Sequence, residues 1–175
     1  ETLSATNEDL FPYALRPYLE TEPAEERIIR VMTELGNAVG TVRDRKNLLE
    51  RVINLLMKLT LAGRGGFFVQ GPEGWPQLSA SRNLEQALVE SPGFRSSLEL
   101  ILSAFHQPGP APEALASAQG SLPGARPWQG WALCRRVSLQ GELLGVIYLD
   151  NTLVEMTPPA KVLTFLDLLT NHVAV

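Results

Sequence analysis

Residues 138–151 read SLQGELLGVIYLDN, and the order of residue types in that run decides the fold. Gln140-Gly141 stands between two apolar segments, Trp131 to Leu139 and Glu142 to Asp150. The run therefore predicts two antiparallel strands joined by a tight glycine turn. Leu133, Cys134 and Val137 on the first segment and Leu143, Leu144, Val146, Ile147, Tyr148 and Leu149 on the second leave apolar residues on both parities. Strands of that kind lie between layers of helix and do not face water on one side.

Beyond the hairpin, Thr157-Pro158-Pro159 combines a capping threonine with prolines suited to a first turn. The helix it opens carries Val162, Phe165, Leu166, Leu169 and Val173 on one face. Before the hairpin, residues 107–130 are rich in Pro, Gly, Ala and Ser and predict a long loop, with Trp128 inside it and Trp131 just past it. A helix opened by Ser91-Pro92, with Leu98, Ile101, Leu102 and Phe105 on one face, stops before Pro108-Gly109-Pro110. Earlier still, Phe67-Phe68-Val69-Gln70, the turn Gly71-Pro72-Glu73-Gly74 and Gln77 to Ser81 read as a second hairpin.

Two helices precede that hairpin. Asp44 is a candidate cap for the second, where Leu48, Leu49, Val52, Ile53, Leu56 and Leu59 recur at helical spacing. In the first, Ile28, Met32, Leu35, Val39 and Val42 follow one another in steps of 4, 3, 4 and 3. That spacing gives a stripe that packs either on its own domain or on a second copy of the chain. Gly36 and Gly40 weaken the helix and permit close approach of another backbone. Residues 1–22, interrupted by Pro12 and Pro17, read as an irregular arm, with residues 23–42 as an N-terminal helix and 43–175 as the domain proper.

Composition excludes several classes. The 175 residues carry 15 Lys+Arg against 19 Asp+Glu, a net charge of −4, which is wrong for a strongly basic nucleic-acid binder. The segment from Thr41 to Arg64 holds six basic and two acidic residues, which reads as a solvated helix face. The single cysteine, Cys134, builds neither a disulfide framework nor a cysteine zinc site. Apolar runs are too short to span a membrane, and no secretory leader is visible, so the expected setting is the cytoplasm. The start at Glu1 and the close inside a helix suggest a piece of a longer protein.

Taken together, residues 138–151 and the helix after them resemble the C-terminal signature of GAF domains: strand, glycine turn, and a strand reading roughly G-V-L-Y-L-D-N. Leu48 to Ile53 leading into Gly65-Gly66-Phe67-Phe68-Val69 is similar to the family's early helix and first strand. The resemblance covers about residues 43–175. It implies an α/β fold of the α+β type: a central antiparallel sheet of five to six strands, helices on one face, and a lidded small-molecule pocket on the other. It also implies a sensory role, with dimerisation through terminal helices that pass the signal onward. The N-K-F-D-E type motif of cyclic-nucleotide-binding members is missing, as are the paired Cys-His of bilin-binding members and the cysteines of a sulfoxide reductase. Arg135-Arg136-Val137 stands where the family often has a proline.

The residues placed at the implied pocket are Phe68, Gln70, Phe105, His106, Trp128, Trp131, Leu133, Arg135 and Tyr148. One arginine of the pair Arg135-Arg136 would face the cavity, because neighbours on a strand point to opposite faces, and would hold an anion there. The residues placed at a dimer contact are Ile28, Met32, Leu35, Val39, Leu166, Leu169 and Val173. Gly63-Arg64-Gly65-Gly66 leads into a strand and lacks Lys-Ser/Thr, so it is a helix terminator and not a phosphate loop. Asp150-Asn151 at a strand end reads as a backbone cap or turn. His106 suits a helix C-terminus and is the first ligand to test for a haem or metal; His172 reads as solvent-facing or at the dimer contact.

No triad or carboxylate pair is legible, so no catalytic residue and no metal site are assigned. The cofactor is left unknown. The expected function is that of a regulatory sensory domain in a bacterial signalling protein, such as a transcription activator or sensor histidine kinase. It would take an unknown small ligand or sense redox state, act as a homodimer, and drive an effector domain beyond Val175, with no direct nucleic-acid or membrane partner. The alternatives are a structural dimerisation module whose pocket is filled by side chains, and an enzyme resting on Cys134.

Overall fold

The computed structural model describes residues 23–41, 44–107, 130–139, 141–153 and 157–172. The arm at 1–22 and nearly all of the loop at 107–130 lie outside them.

Helix α1 runs Ala24–Thr41, with Glu25 and Glu26 in its first turn. Its inward residues are Ile28, Val31 and Leu35, with Ala38 buried one turn on. Met32 sits off that line and is 54% exposed, so the stripe of the sequence reading is rotated by one position after Ile28. Helix α2 runs Arg45–Thr60, and the Asp44 carboxylate accepts from the Asn47 N–H at 3.2 Å as its cap. It closes at Leu61, which takes a left-handed φ of 60° and is held there by Asn151 Nδ2 donating to its carbonyl at 3.1 Å.

Strands β1 (Arg64–Gln70) and β2 (Pro76–Arg82) form one hairpin, and β3 (Trp131–Leu139) and β4 (Glu142–Asn151) form the other. The two hairpins join by antiparallel pairing of β1 with β4, giving the sheet order β2-β1-β4-β3. Five to six strands were expected; among the described residues there are four. Between the hairpins come a short helix α3 (Gln86–Val89), a helical turn at Pro92–Phe94 and helix α4 (Arg95–His106). Helix α5 (Ala160–His172) closes the described chain. No helix among the described residues is long and apolar enough to cross a membrane.

Two bulges decide which side chains share a face. Phe67 pairs with Ala80 but Phe68 with Leu78, so Ser79 is the extra residue on β2. Val137 pairs with Gly145 but Ser138 with Leu143, so Leu144 is the extra residue on β4. Each extra residue reverses the alternation along its strand. On β4, Ile147 and Leu149 pack with α1, α2 and α5, as Leu144 does, while Val146, Tyr148 and Leu143 pack with α4.

The sheet therefore separates two cores. The larger one joins Val31, Ile53, Leu56, Leu59, Phe67 and Leu166. The smaller one joins Phe68, Phe94, Ile101, Phe105, Cys134 and Tyr148. Gly65 lets the helix layer close on the sheet, since a Cβ there would sit 2.8 Å from Ile53 Cγ2. Gly145 lets β4 close on β1, since a Cβ there would sit only 2.4 Å from the Phe68 carbonyl oxygen.

Candidate functional site

The α4 face of the sheet is organised around Tyr148. Its ring meets Phe94 edge-on at 5.2 Å between centroids and Phe68 at 6.4 Å, the arrangement favoured by ring quadrupoles. Its hydroxyl lies 2.6 Å from Asp150 Oδ2 and 2.8 Å from Ser97 Oγ. A phenol has one proton, which goes to the carboxylate, so the Ser97 hydroxyl is the donor in the second contact.

The Asp150 carboxylate is fully buried and is gripped from its other side by Arg64. Arg64 Nε donates to Oδ1 at 2.8 Å, and Nη2 donates to Oδ2. A two-point grip of this kind is the geometry that satisfies a buried carboxylate. Burial works against the Arg64 charge, but the Asp150 carboxylate outweighs it and holds the guanidinium above its ordinary value. Burial, reinforced by Asp150, pushes the Tyr148 phenol far above its ordinary value.

The backbone joins the same cluster. The Asp150 carbonyl accepts from the Gly63 N–H at 2.8 Å, and Asn83 Nδ2 donates to the Gly63 carbonyl at 3.0 Å. Chemically this is a positional lock and not a proton donor at ordinary pH. It ties α4 through Ser97 to the end of β4 and to the turn between α2 and β1. The sequence reading of Asp150-Asn151 as a cap holds for Asn151, whose Oδ1 accepts from the Leu153 N–H at 3.0 Å. It missed the ion pair. The signal available was Arg64 at the start of one apolar strand and Asp150 at the end of another, which antiparallel pairing sets side by side.

Of the residues assigned to the pocket, Phe68, Phe105 and Tyr148 do meet on the α4 face. Gln70 is on an exposed strand end, and His106 is exposed at the end of α4 with Nδ1 2.8 Å from the Leu102 carbonyl oxygen. Trp131, Leu133 and Arg135 are corrections: their parity on β3 turns them to the helix layer, with Trp131 and Leu133 in the larger core. Arg135 already has its anion there, donating from Nε to Asp167 of α5 and from Nη1 to the Cys134 carbonyl at 3.0 Å. Trp128 lies outside the described residues. Cys134 is buried opposite Tyr148, and burial pushes its thiol well above the ordinary range.

Of the residues assigned to a dimer contact, Leu166 is fully buried, and Ile28, Leu35 and Leu169 pack against the chain's own core. These four are spent within the chain. Met32 is exposed, whereas Val173 and the side chain of Val39 lie outside the described residues. Neighbouring Ile29, 65% exposed, is the residue the periodicity passed over. Among the described residues no three His, Cys, Asp or Glu side chains gather as a metal site.

Compared with solved structures, this architecture is the GAF fold. The GAF domain of a phosphoenolpyruvate-protein phosphotransferase from Coxiella burnetii is similar with a TM-score of 0.57 and 17% identity, over 86% of this chain and 92% of that one. The A. aeolicus nlh2 GAF domain in an inactive state gives 0.52 and 12% identity, over 85% and 94%. The chromophore-binding domain of Stigmatella aurantiaca bacteriophytochrome gives 0.53 and 14% identity, over 98% of this chain and 62% of that one. No family model and no curated protein matches the chain.

Proposed function

We propose that the chain is a regulatory sensory domain of a bacterial signal-transduction protein, acting as a homodimer through its helix layer. The observation that carries this reading is the pair Ile29 and Met32, two large apolar side chains left in water on the outer side of α1. Apolar groups exposed together on a helix layer mark a protein contact. The layer is also linked within the chain: Lys161 of α5 pairs with Glu25 of α1, Lys58 of α2 with Glu34 of α1, and Asp167 of α5 with Arg135 of β3. A small ligand on the α4 face would act on Ser97, Tyr148 and Asp150. The sheet would then shift the population of helix arrangements.

The effector domain would follow α5, by analogy with transcription activators and sensor histidine kinases, in the cytoplasm. Sedimentation equilibrium tests the dimer. The wild-type chain should be dimeric at micromolar concentration. Ile29→Glu and Met32→Glu should be monomeric, with thermal midpoints equal to that of the wild-type chain diluted until it is monomeric. A wild-type monomer at every concentration removes the homodimer from the reading.

A second reading, a ligand-free structural dimerisation module, has its own support. Phe68, Phe94, Ile101 and Tyr148 are buried and fill the described part of the α4 face. Native mass spectrometry of the chain as purified separates the two. A dimer with added mass supports the sensor; a dimer that stays bare through a metabolite screen supports the module.

A further inference from the structure

A cavity of about 180 Å³ lies between the helix layer and the sheet, on the face opposite Tyr148. Its walls come from Val31 and Leu35 of α1, Val52 of α2, Phe67 of β1, Leu144 of β4 and Leu169 of α5. We propose that this cavity is a second binding site, for a neutral apolar small molecule the size of one aromatic ring or a short acyl chain. It is separate from any ligand of the α4 face and does not depend on the reading above.

Size argues first. Folded cores pack as densely as organic crystals, and voids larger than a water molecule are few. Leucine- and phenylalanine-lined cavities of about 150 Å³ stay dry and take up benzene. This one is of that order, large enough for a ring.

Chemistry sets the class of ligand. Ser138 and Thr170 are the polar side chains among the described lining residues, and the Thr170 hydroxyl already donates to the Leu166 carbonyl at 3.0 Å. Among the described lining residues none carries a charge, so a carboxylate or phosphate would be buried against them without a counter-ion. A neutral molecule meets only the apolar contacts it needs.

Construction points the same way. Leu144 reaches this wall because it is the extra residue of the β4 bulge; in an unbroken strand its parity would send it to the α4 face. Bulges commonly re-aim a side chain at a site. Collapse is resisted because α2 is capped by Asp44 at one end and fixed by buried Ile53 and Leu56 further in. An occupant would touch α1 and α5 together.

Toluene is the probe, with benzoate as its charged counterpart, on the full 175-residue chain. Toluene should shift Leu, Val and Ile methyl resonances saturably and raise the thermal midpoint, while benzoate should bind at least tenfold more weakly. Val52→Phe and Leu144→Phe, which fill the space from different walls, should each weaken toluene binding at least tenfold and still melt cooperatively. No saturable shift with toluene overturns the proposal, as does equal binding of benzoate or undiminished binding in both variants. Toluene binding only after removal of residues 1–22, or only on dissociation of a dimer, also overturns it and assigns the space to the arm or to a second copy.

Discussion

The Tyr148 hydroxyl donates a 2.6 Å hydrogen bond to Asp150, a residue two positions along the same strand and on the same face. This bond, with the Ser97 hydroxyl behind it, is where helix α4 is fastened to the sheet. Tyr148→Phe keeps the ring contacts with Phe68 and Phe94 and removes only the oxygen. Two buried polar groups then lose a partner, and the expected cost is about 1–3 kcal/mol. Urea unfolding should show a lower midpoint with an unchanged slope. An unchanged midpoint would mean that α4 is held by packing alone.

Asp150→Ala should be more damaging than Tyr148→Phe, because it strands the Arg64 guanidinium, whose side chain is 22% exposed, beside an apolar face. Removing one member of a buried ion pair costs about 3–5 kcal/mol. The partial exposure of Arg64 puts this case at the lower end, since water reaches its outer side. The double variant Arg64→Met/Asp150→Leu should recover much of the loss, because no uncompensated charge remains. A double-mutant cycle reads the coupling directly, and strict additivity would refute the pairing.

How far the fold could be read from the sequence follows from period and turn chemistry. The glycine turn at Gln140-Gly141, the apolar strands and the Asp44 cap are local signals, and the order of long elements they predict is observed, with the four-residue helix α3 as an addition too short to carry a period. What could not be read is side-chain direction on the strands. The extra residue Ser79 reverses the alternation without any glycine or proline to announce it, whereas Leu144 stands beside Gly145, and a lone glycine inside a strand is the local mark of a bulge. Arg135, Trp131 and Leu133 face the helix layer and not the α4 side, a parity that only pairing with β4 fixes. The α1 stripe failed differently: positions 28, 31, 35 and 38 and positions 28, 32, 35 and 39 are both helical spacings, and only packing chooses between them. The Arg64–Asp150 pair is 86 residues apart in the chain and appears only once β1 lies against β4.

Cys134 makes a prediction about alkaline pH. Its folded-state pKa is raised by burial, so the folded chain keeps a proton that the unfolded chain gives up. The stabilisation is therefore complete below the unfolded thiol value of about 8.5 and declines as pH rises above it. By pH 10 the loss from this group amounts to about 2 kcal/mol, and Tyr148 adds its own decline above about pH 10 for the same reason. Cys134→Val should flatten the fall in urea midpoint between pH 8 and pH 10. The native thiol should also resist a disulfide reagent until urea unfolds the chain. Rapid labelling of the native protein would restore Cys134 as a candidate redox centre.

Two glycines should respond to alanine in opposite directions. At Gly145 the new Cβ would meet the Phe68 carbonyl oxygen at 2.4 Å and the Phe67 ring at 2.6 Å. The nearer contact is with the backbone of β1, which pairs with β4 at this point, so a rotamer change of the Phe67 ring cannot relieve it. Gly145→Ala should cost at least the 1–3 kcal/mol typical of overpacking, about the range of the Tyr148 variant. At Gly36, within α1, nothing lies within 4 Å of the added carbon. Gly36→Ala should therefore stabilise the isolated chain by about 0.5–1 kcal/mol through helix propensity. The same substitution also reports on the dimer. If a second α1 approaches closely at Gly36, the alanine should raise the thermal midpoint of the dilute monomer and weaken self-association. Unchanged association with a raised midpoint would place the partner on the Ile29–Met32 side of α1 and away from Gly36.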